Sequence, residues 1–398
     1  MKRARLAIVL LAAAACRGEA SPPPQPPAQS ALQHHEISAT NLPKPFATES
    51  AGNPPRVFDP PPNWTPVVPP GFHISVFATN FESPRNMILG PGGEVIVADS
   101  SAGDIIILDN RHNGQRRTFA QGLDYPFGLA LRGNMLYVGD ENAVVRIPYP
   151  TGGNPVRVMS LPGSGHNTRN VIFNRDGSKM YIAVGSASNV SREDPPRAAV
   201  TEANPDGSGA RTFAWGLRNP VGLAWNPQTG ALWTTVNERD GLGEDLVPDY
   251  ITDLRDGAFY GWPYAYIGQH EDPRRAGERR DLVAKAIVPS LLIQSHSAPL
   301  GITFYNGAMF PAEYRGSAFV ALHGSWNRAK RTGYKVIRVA FRDGKPIGGY
   351  DDFAIGWMTD ENGRGVYGRP VGLCVMNDGS LLISDDGTGV IWRVTYGK

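Results

Sequence analysis

His166 and Arg218 are the residues of this 398-residue chain whose types and settings could do acid–base chemistry beside an anionic ligand. Each stands two residues before an apolar hexapeptide of one form, His166 before TRNVIF and Arg218 before PVGLAW. Asn219 follows Arg218, and Arg369 directly precedes a further copy, PVGLCV. A histidine titrates near working pH and can take a proton from a hydroxyl. A guanidinium holds carboxylates and developing negative charge through paired donors. Taken singly, each has a plainer role: His166 as a turn hydrogen-bonder, Arg218 and Arg369 as partners of rim carboxylates, Asp385 as a turn cap. Brought to one mouth, a His beside several cations supplies a proton acceptor next to a field suited to an anionic ligand.

The elements that must bring them together are repeats. The hexapeptide has the pattern Pro-x-Gly-apolar-x-apolar and recurs as PRNMIL at 84, PFGLAL at 126, TRNVIF at 168, PVGLAW at 220, PLGITF at 299 and PVGLCV at 370. The copies at 84 and 168 carry Asn where the others carry Gly, and the one at 168 begins with Thr. A turn and a second apolar run follow most copies, as in NRDGSKMYIAVG and MNDGSLLISDD, and often a third, as in AVVRIPY and GVIWRVTY. A period of about 42 residues with strand–turn–strand content is the mark of propeller blades. The expected fold is therefore all-β, a six-bladed β-propeller of four-stranded antiparallel blades over residues 67–398. GFHISVFAT, ahead of the first copy, is expected to supply the outer strand of the last blade and close the ring.

With each hexapeptide innermost in its blade, His166, Arg218, Asn219 and Arg369 share one rim of the channel. The ends of the second strands reach the same face, adding Asp99, Asp140, Ser186, Asn237, Glu238, His323 and Asp385. Arg169 and Asn170 fall inside a copy and read as blade-packing or turn residues. Wider spacings before 299 and 370 hold loop insertions, notably from Tyr260.

Composition agrees with many short strands and tight turns: 46 Gly, 35 Pro and only 19% charged residues. A net charge of +2 gives no field that would draw nucleic acid or an acidic membrane. The start, MKRARLAIVLLAAAACRGEA, has a basic region, an apolar run too short to span a bilayer, and small residues before Cys16. Residues 1–16 read as an export signal of lipoprotein type, with Cys16 the lipidated residue and an ordinary signal peptidase site near Ala15 as the alternative. Residues 17–66 are Pro-rich and read as a linker of polyproline character in which His34 and His35 are a solvated pair. The only other cysteine is Cys374, so a structural disulfide is not expected, and the location expected is the periplasm or cell envelope. There is no CxxCH for covalent haem, and GPGG at 90–93 belongs to a turn between strands, not to a phosphate-binding loop.

The run AWGLRNPVGLAWNPQTGALWTTVNERDGLGEDLVPDYITDLRDGAFYGWP, the segment HSAPLGITFY and the run GRPVGLCVMNDGSLLISDDGTGVIWRV resemble the glucose/sorbosone dehydrogenase family, most closely its L-sorbosone dehydrogenase-like branch. The likeness extends from about residue 70 to the end, and RNPxG followed by YGWP is its most specific part. It implies a six-bladed propeller that binds pyrroloquinoline quinone (PQQ), usually with calcium. By position it makes His166 the general base that removes a hydroxyl proton while hydride passes to the quinone, and Arg218 the cation that holds the quinone oxygens, with Asn219 beside it. Lys330, in NRAKRTGYKVIRV, and Arg369 match cations that bind the cofactor's carboxylates. The backbone carbonyls of Glu238 and Arg239 match calcium ligands, with Asp240, Glu244 and Asp245 adding negative charge nearby. The chain departs from the sugar dehydrogenase branch at Pro126 and Phe127, where that branch has a polar residue, and at Ser186, where it has Asp.

The function the resemblance implies is oxidation of a sugar, sugar aldehyde or related alcohol, with electrons passing to an acceptor the sequence does not identify. Two other classes fit the same architecture. One is a calcium-dependent lactonase-like hydrolase, which needs several carboxylate or amide ligands at the channel and finds only Glu238 and Asn237. The other is a non-enzymatic envelope propeller presenting its basic rim to a glycan or protein.

Overall fold

The computed structural model describes residues 32–109 and 115–397, in which nearly all regular structure is β. Six sheets surround a channel. Their innermost strands are Pro84–Leu89, Gly128–Arg132, Arg169–Phe173, Pro220–Trp225, Pro299–Phe304 and Pro370–Val375, the six hexapeptides to within two residues. From each, antiparallel strands step outward to give a four-stranded blade, and each innermost strand packs against the next around the ring. Phe72–Ala78 pairs antiparallel with Val390–Tyr396 as the outer strand of the sixth blade, so the ring closes as expected.

The Gly of the repeat has a physical cause. In the first, fourth, fifth and sixth blades a bulge interrupts the ladder at the start of the innermost strand; in the fourth, Pro220 pairs with Val236 and the next pair is Leu223 with Thr234. The bulged backbone presses against the neighbouring blade. A Cβ at Gly222 would lie 2.4 Å from the Leu300 carbonyl oxygen, and one at Gly372 only 2.0 Å from that of Arg85. A hydroxyl on the second strand ties the joint. Gly222 N–H donates to Thr235 Oγ1 (2.8 Å), which donates to the Leu300 carbonyl (2.7 Å). Gly372, Ser384 and the Arg85 carbonyl repeat the arrangement. Where the repeat has Asn170 instead, its own Nδ2 donates across to the Val221 carbonyl at 2.8 Å.

The second residues of four copies face one another at the centre of the ring. Phe127, Val221, Leu300 and Val371 meet there as a small buried cluster. This plug separates two cavities. The larger, about 580 Å³, is lined by apolar and amide side chains, with Cys374 as its one ionisable group and burial pushing that thiol up to about 12. The smaller, about 260 Å³, holds the charged residues. The remaining two copies place Arg85 and Arg169 at the second position.

The export signal and Cys16 lie outside the described residues. Of the Pro-rich segment, the part from Gln33 onward is not a free linker but a strap on the propeller. His34–His35 pairs antiparallel with Tyr350–Ala354 as a fifth strand of the fifth blade, and Arg56–Val57 runs parallel to Gly365–Val366. Between them Phe46 N–H donates to the Leu242 carbonyl and Asn53 N–H to that of Trp326, both at 2.7 Å. Of the two histidines His34 stays solvated, its side chain 56% exposed, while His35 does not. His34 Nδ1 lies 2.8 Å from Asp351, while His35 stacks on Tyr350 at 4.8 Å with its Nε2 3.0 Å from Asp352. Proline prevents a continuous ladder here, but isolated backbone bonds between prolines suffice to hold the strand ends.

Candidate active site

The smaller cavity draws on five of the six blades and contains His166, Arg218, Asn219, Asn237, Glu238, His323 and Arg369 from the expected rim. Asp99, Asp140, Ser186 and Asp385 do not line it. Asp99 and Asp385 turn instead into their own blades, where each accepts the backbone N–H that leads into the innermost strand, Ser83 N at 2.6 Å and Arg369 N at 2.7 Å.

His166 is held from both sides. Ser186 carbonyl oxygen accepts from His166 N–H at 3.1 Å and lies 2.7 Å from ring Nδ1. A carbonyl only accepts, so Nδ1 carries the proton and Nε2 keeps its lone pair. Ser186 N–H donates in turn to the Arg218 carbonyl at 2.8 Å, which couples the third and fourth blades at this point. Burial, helped by the Arg218 charge, pushes the imidazole down to about 4, so the ring is neutral at pH 7. Arg169 is fully buried and donates to the carbonyls of His166 (2.5 Å), Thr168 (3.0 Å) and Pro162 (2.6 Å). It therefore clamps the loop that carries the histidine. Gly185 completes the seat, since a Cβ there would lie 2.3 Å from Asn219 Oδ1 and 2.7 Å from His166 Cβ.

Arg218 donates through Nη1 to the Glu238 carbonyl (2.8 Å) and through Nη2 to Asp240 (3.0 Å), while its buried Nε has no partner. Burial opposes ionisation of Asp240, but His296 and Arg218 outweigh it and hold the carboxyl below its usual range. Asn327 Nδ2 donates to the same carboxylate at 2.6 Å. Asp249 accepts the N–H groups of Glu238 and Ala298, both at 2.8 Å, yet complete burial lifts it to about 7. Asn219 Oδ1 is buried without a partner.

Arg369 lines the cavity, and among the described residues it has no ion-pair partner. Its Nε approaches the His323 carbonyl at 3.3 Å. Lys330 is not brought to the cavity: it is 64% exposed and pairs with Glu361 at 2.7 Å. The fifth blade's second strand, Ala318–Leu322, delivers His323 to the rim instead, and Lys330 belongs to the loop beyond. Arg239 is buried in a network of its own with Glu238, Asp272 and the carbonyls of Pro263 and Ala265.

Four lining or supporting residues do not stand out in the sequence: Arg85, His296, Asn327 and Asp386. Arg85 has a signal all the same, because the other copies that keep Pro at their head carry an apolar second residue. It pairs with Asp386 at 2.6 Å, and its guanidinium stands 5.4 Å from the Phe127 ring centroid. Phe127 thus supports a cation where the sugar dehydrogenase branch has a polar group.

The TrAA12-like family profile matches residues 66–252 and 272–397. The chain belongs to the TrAA12-like family. An uncharacterised protein of Borreliella burgdorferi is 28% identical over 351 residues, covering 83% of this chain and 91% of that one. A pyrroloquinoline quinone-dependent sugar dehydrogenase of Hypocrea jecorina is 25% identical over 399 residues, covering 82% and 88%. Among solved structures, the family AA12 enzyme of Trichoderma reesei superposes with a TM-score of 0.72 at 23% identity, covering 83% of this chain and 98% of that one. The PQQ domain of Coprinopsis cinerea pyranose dehydrogenase, in its holo form, gives 0.72 at 21%, covering 86% and 99%. The TrAA12-like match and these neighbours agree with the expected kinship to PQQ-dependent soluble sugar dehydrogenases and with the six-bladed fold.

Proposed function

We propose that this protein is an exported, PQQ-dependent dehydrogenase that oxidises a sugar, a sorbosone-like sugar aldehyde or a related alcohol. The observation that carries this is the pairing, in one cavity, of a neutral histidine with an open Nε2 and a half-buried arginine, Arg369, that has no ion-pair partner among the described residues. PQQ is a flat tricarboxylate with adjacent carbonyl oxygens. The cavity, about 260 Å³, is close to the lower size limit of small-molecule sites, roughly 300 Å³. Arg369 suits a carboxylate of the group and the unpartnered Arg218 Nε–H one of its oxygens, while Asn219 Oδ1, an acceptor, suits only its ring N–H. When bound, PQQ supplies a two-electron acceptor for hydride.

The protein's own part is orientation and proton removal. His166 Nε2 takes the substrate hydroxyl proton, while the Ser186 carbonyl holds the Nδ1 proton and stabilises the charge that appears on the ring. Arg218, fixed by Asp240 and the Glu238 carbonyl, presents its positive edge without reorganisation. The residues fit calcium less well. The Glu238 carbonyl already accepts from Arg218, whose charge would repel a cation, and the described residues include no group of three His, Cys, Asp or Glu able to hold a metal. No step is assigned to a metal, and the lactonase-like alternative, which requires one, loses ground for the same reason. Periplasmic location and a lipid anchor on Cys16 are part of the proposal and rest on the sequence of residues 1–16.

Titration of the purified protein with PQQ, followed by dye reduction over a sugar panel, tests the proposal. Saturable one-to-one binding and turnover are expected, and Arg369→Ala should weaken PQQ binding on the order of tenfold to a hundredfold, the loss of one charge-assisted contact. Absence of binding by the folded protein would sink it. A second outcome concerns the seat of the base. Gly185→Ala should lower kcat by up to about a hundredfold, because a Cβ there displaces His166 or Asn219 by a fraction of an ångström or more. Unchanged kinetics would mean that His166 does not need that seat.

A further inference from the structure

We propose that His323 is a second ligand-facing proton acceptor of this cavity, offering Nδ1 to a hydroxyl or N–H donor of the bound ligand, with Asp386 and Arg85 as its positioning residues. The ring is fixed through its backbone and its other nitrogen. His323 N–H donates to the Ala298 carbonyl at 2.9 Å, and its carbonyl receives Arg369 Nε. Nε2 lies 2.8 Å from Asp386 Oδ1, and the second oxygen of that carboxylate takes Arg85 Nη1 at 2.6 Å. The three side chains are 13%, 9% and 8% exposed, so water competes little for these bonds.

The protonation state follows from the partners. Burial disfavours the Asp386 carboxylate, but the Arg85 charge, the hydrogen bond from His323 and the nearby Arg369 outweigh it and hold the group well below the usual carboxylate range. An ionised carboxylate only accepts, so Nε2 must carry the ring proton. Burial and the Arg369 charge, against Asp386 and with Arg85, push the imidazole down to about 4. Arg85 already neutralises Asp386, which removes the reason for a charged ring. The neutral ring then leaves a lone pair on Nδ1, which has no hydrogen-bond partner among the described residues. His166 is arranged the other way, with Nδ1 protonated and Nε2 open. One cavity therefore holds two imidazole lone pairs in opposite tautomers, a match for a ligand with two donors. With the polyhydroxylated substrate proposed above, those donors are hydroxyls.

The test begins on ligand-free full-length protein labelled with ¹⁵N-histidine, with His323→Gln used to assign the ring. At pH 7 the expected spectrum shows His323 neutral, Nε2 protonated and Nδ1 bare, persisting to below about pH 5, and Asp386→Asn should remove the preference for one tautomer. A charged ring or a protonated Nδ1 at pH 7 would overturn the proposal whatever the protein oxidises. With PQQ and an active sugar, His323→Ala should raise KM about tenfold while kcat changes much less, as loss of one neutral hydrogen bond requires. An unchanged KM would remove the ligand-facing role. Failure of PQQ to bind at all would instead count against the proposed activity and leave the spectroscopic result to decide His323.

Discussion

His166→Ala is expected to cost about a hundred- to ten-thousand-fold in kcat while leaving PQQ binding close to that of the parent protein. The side chain contributes one proton-accepting nitrogen and no charge, so its removal touches the chemical step more than the anionic ligand's attraction to Arg369. The pH dependence gives the sharper signature. A base works only when unprotonated, and the ligand-free ring is pushed down to about 4 by burial and by Arg218. The profile of kcat/KM should therefore be flat through neutrality and fall about tenfold per unit only below about pH 4. Had the ring an ordinary value near 6.5, the fall would begin two units higher. Arg218→Gln, which removes the second cause of the depression, should move the acid limb upward as well as slow turnover. A His166→Ala protein that keeps turnover within a factor of a few would sink the assignment of the base.

The hexapeptide makes the fold legible, and the reason lies in the bulge. Gly222, Gly301 and Gly372, like Gly128 in the second blade, sit where the next blade's backbone leaves no room for a Cβ, so the same residue recurs in four of the six blades, with Asn86 and Asn170 in the other two. That recurrence fixes blade number, strand phase and the rim on which His166, Arg218 and Arg369 meet. What the repeat cannot convey is direction within the rim. Asp99 and Asp385 occupy the expected position but turn back to cap strands. Lys330 is placed by likeness in a loop outside the repeat, where register carries no constraint, while His323, on the strand end itself, holds the place at the cavity. The strap of residues 33–58 is illegible for a different reason: its bonds go singly to strand edges and loops, and single bonds leave no periodic pattern.

The same joint that makes the repeat visible ties stability to the site, and Gly372→Ala should expose the link. The added Cβ would lie 2.0 Å from the Arg85 carbonyl oxygen and 2.9 Å from Ser384 Oγ, and that carbonyl, in the bulge of the first blade's innermost strand, is itself held by the Ser384 hydroxyl. Overpacking of this kind costs about 1–3 kcal/mol, and a backbone obstacle places it at the top of that range. Gly52→Ala is the control: a Cβ there would meet nothing within 4 Å, so its effect should stay within about 0.5 kcal/mol. Urea unfolding of both variants measures the difference. The consequence for function follows from which carbonyl is struck. Arg85 is the anchor of Asp386, and Asp386 orients His323, so a shifted Arg85 backbone should loosen that ring while leaving His166, two blades away, in its seat. Gly372→Ala is therefore expected to raise KM more than it lowers kcat at temperatures where it remains folded. Equal stability of the two variants would mean that the blades part at this joint more easily than their packing implies.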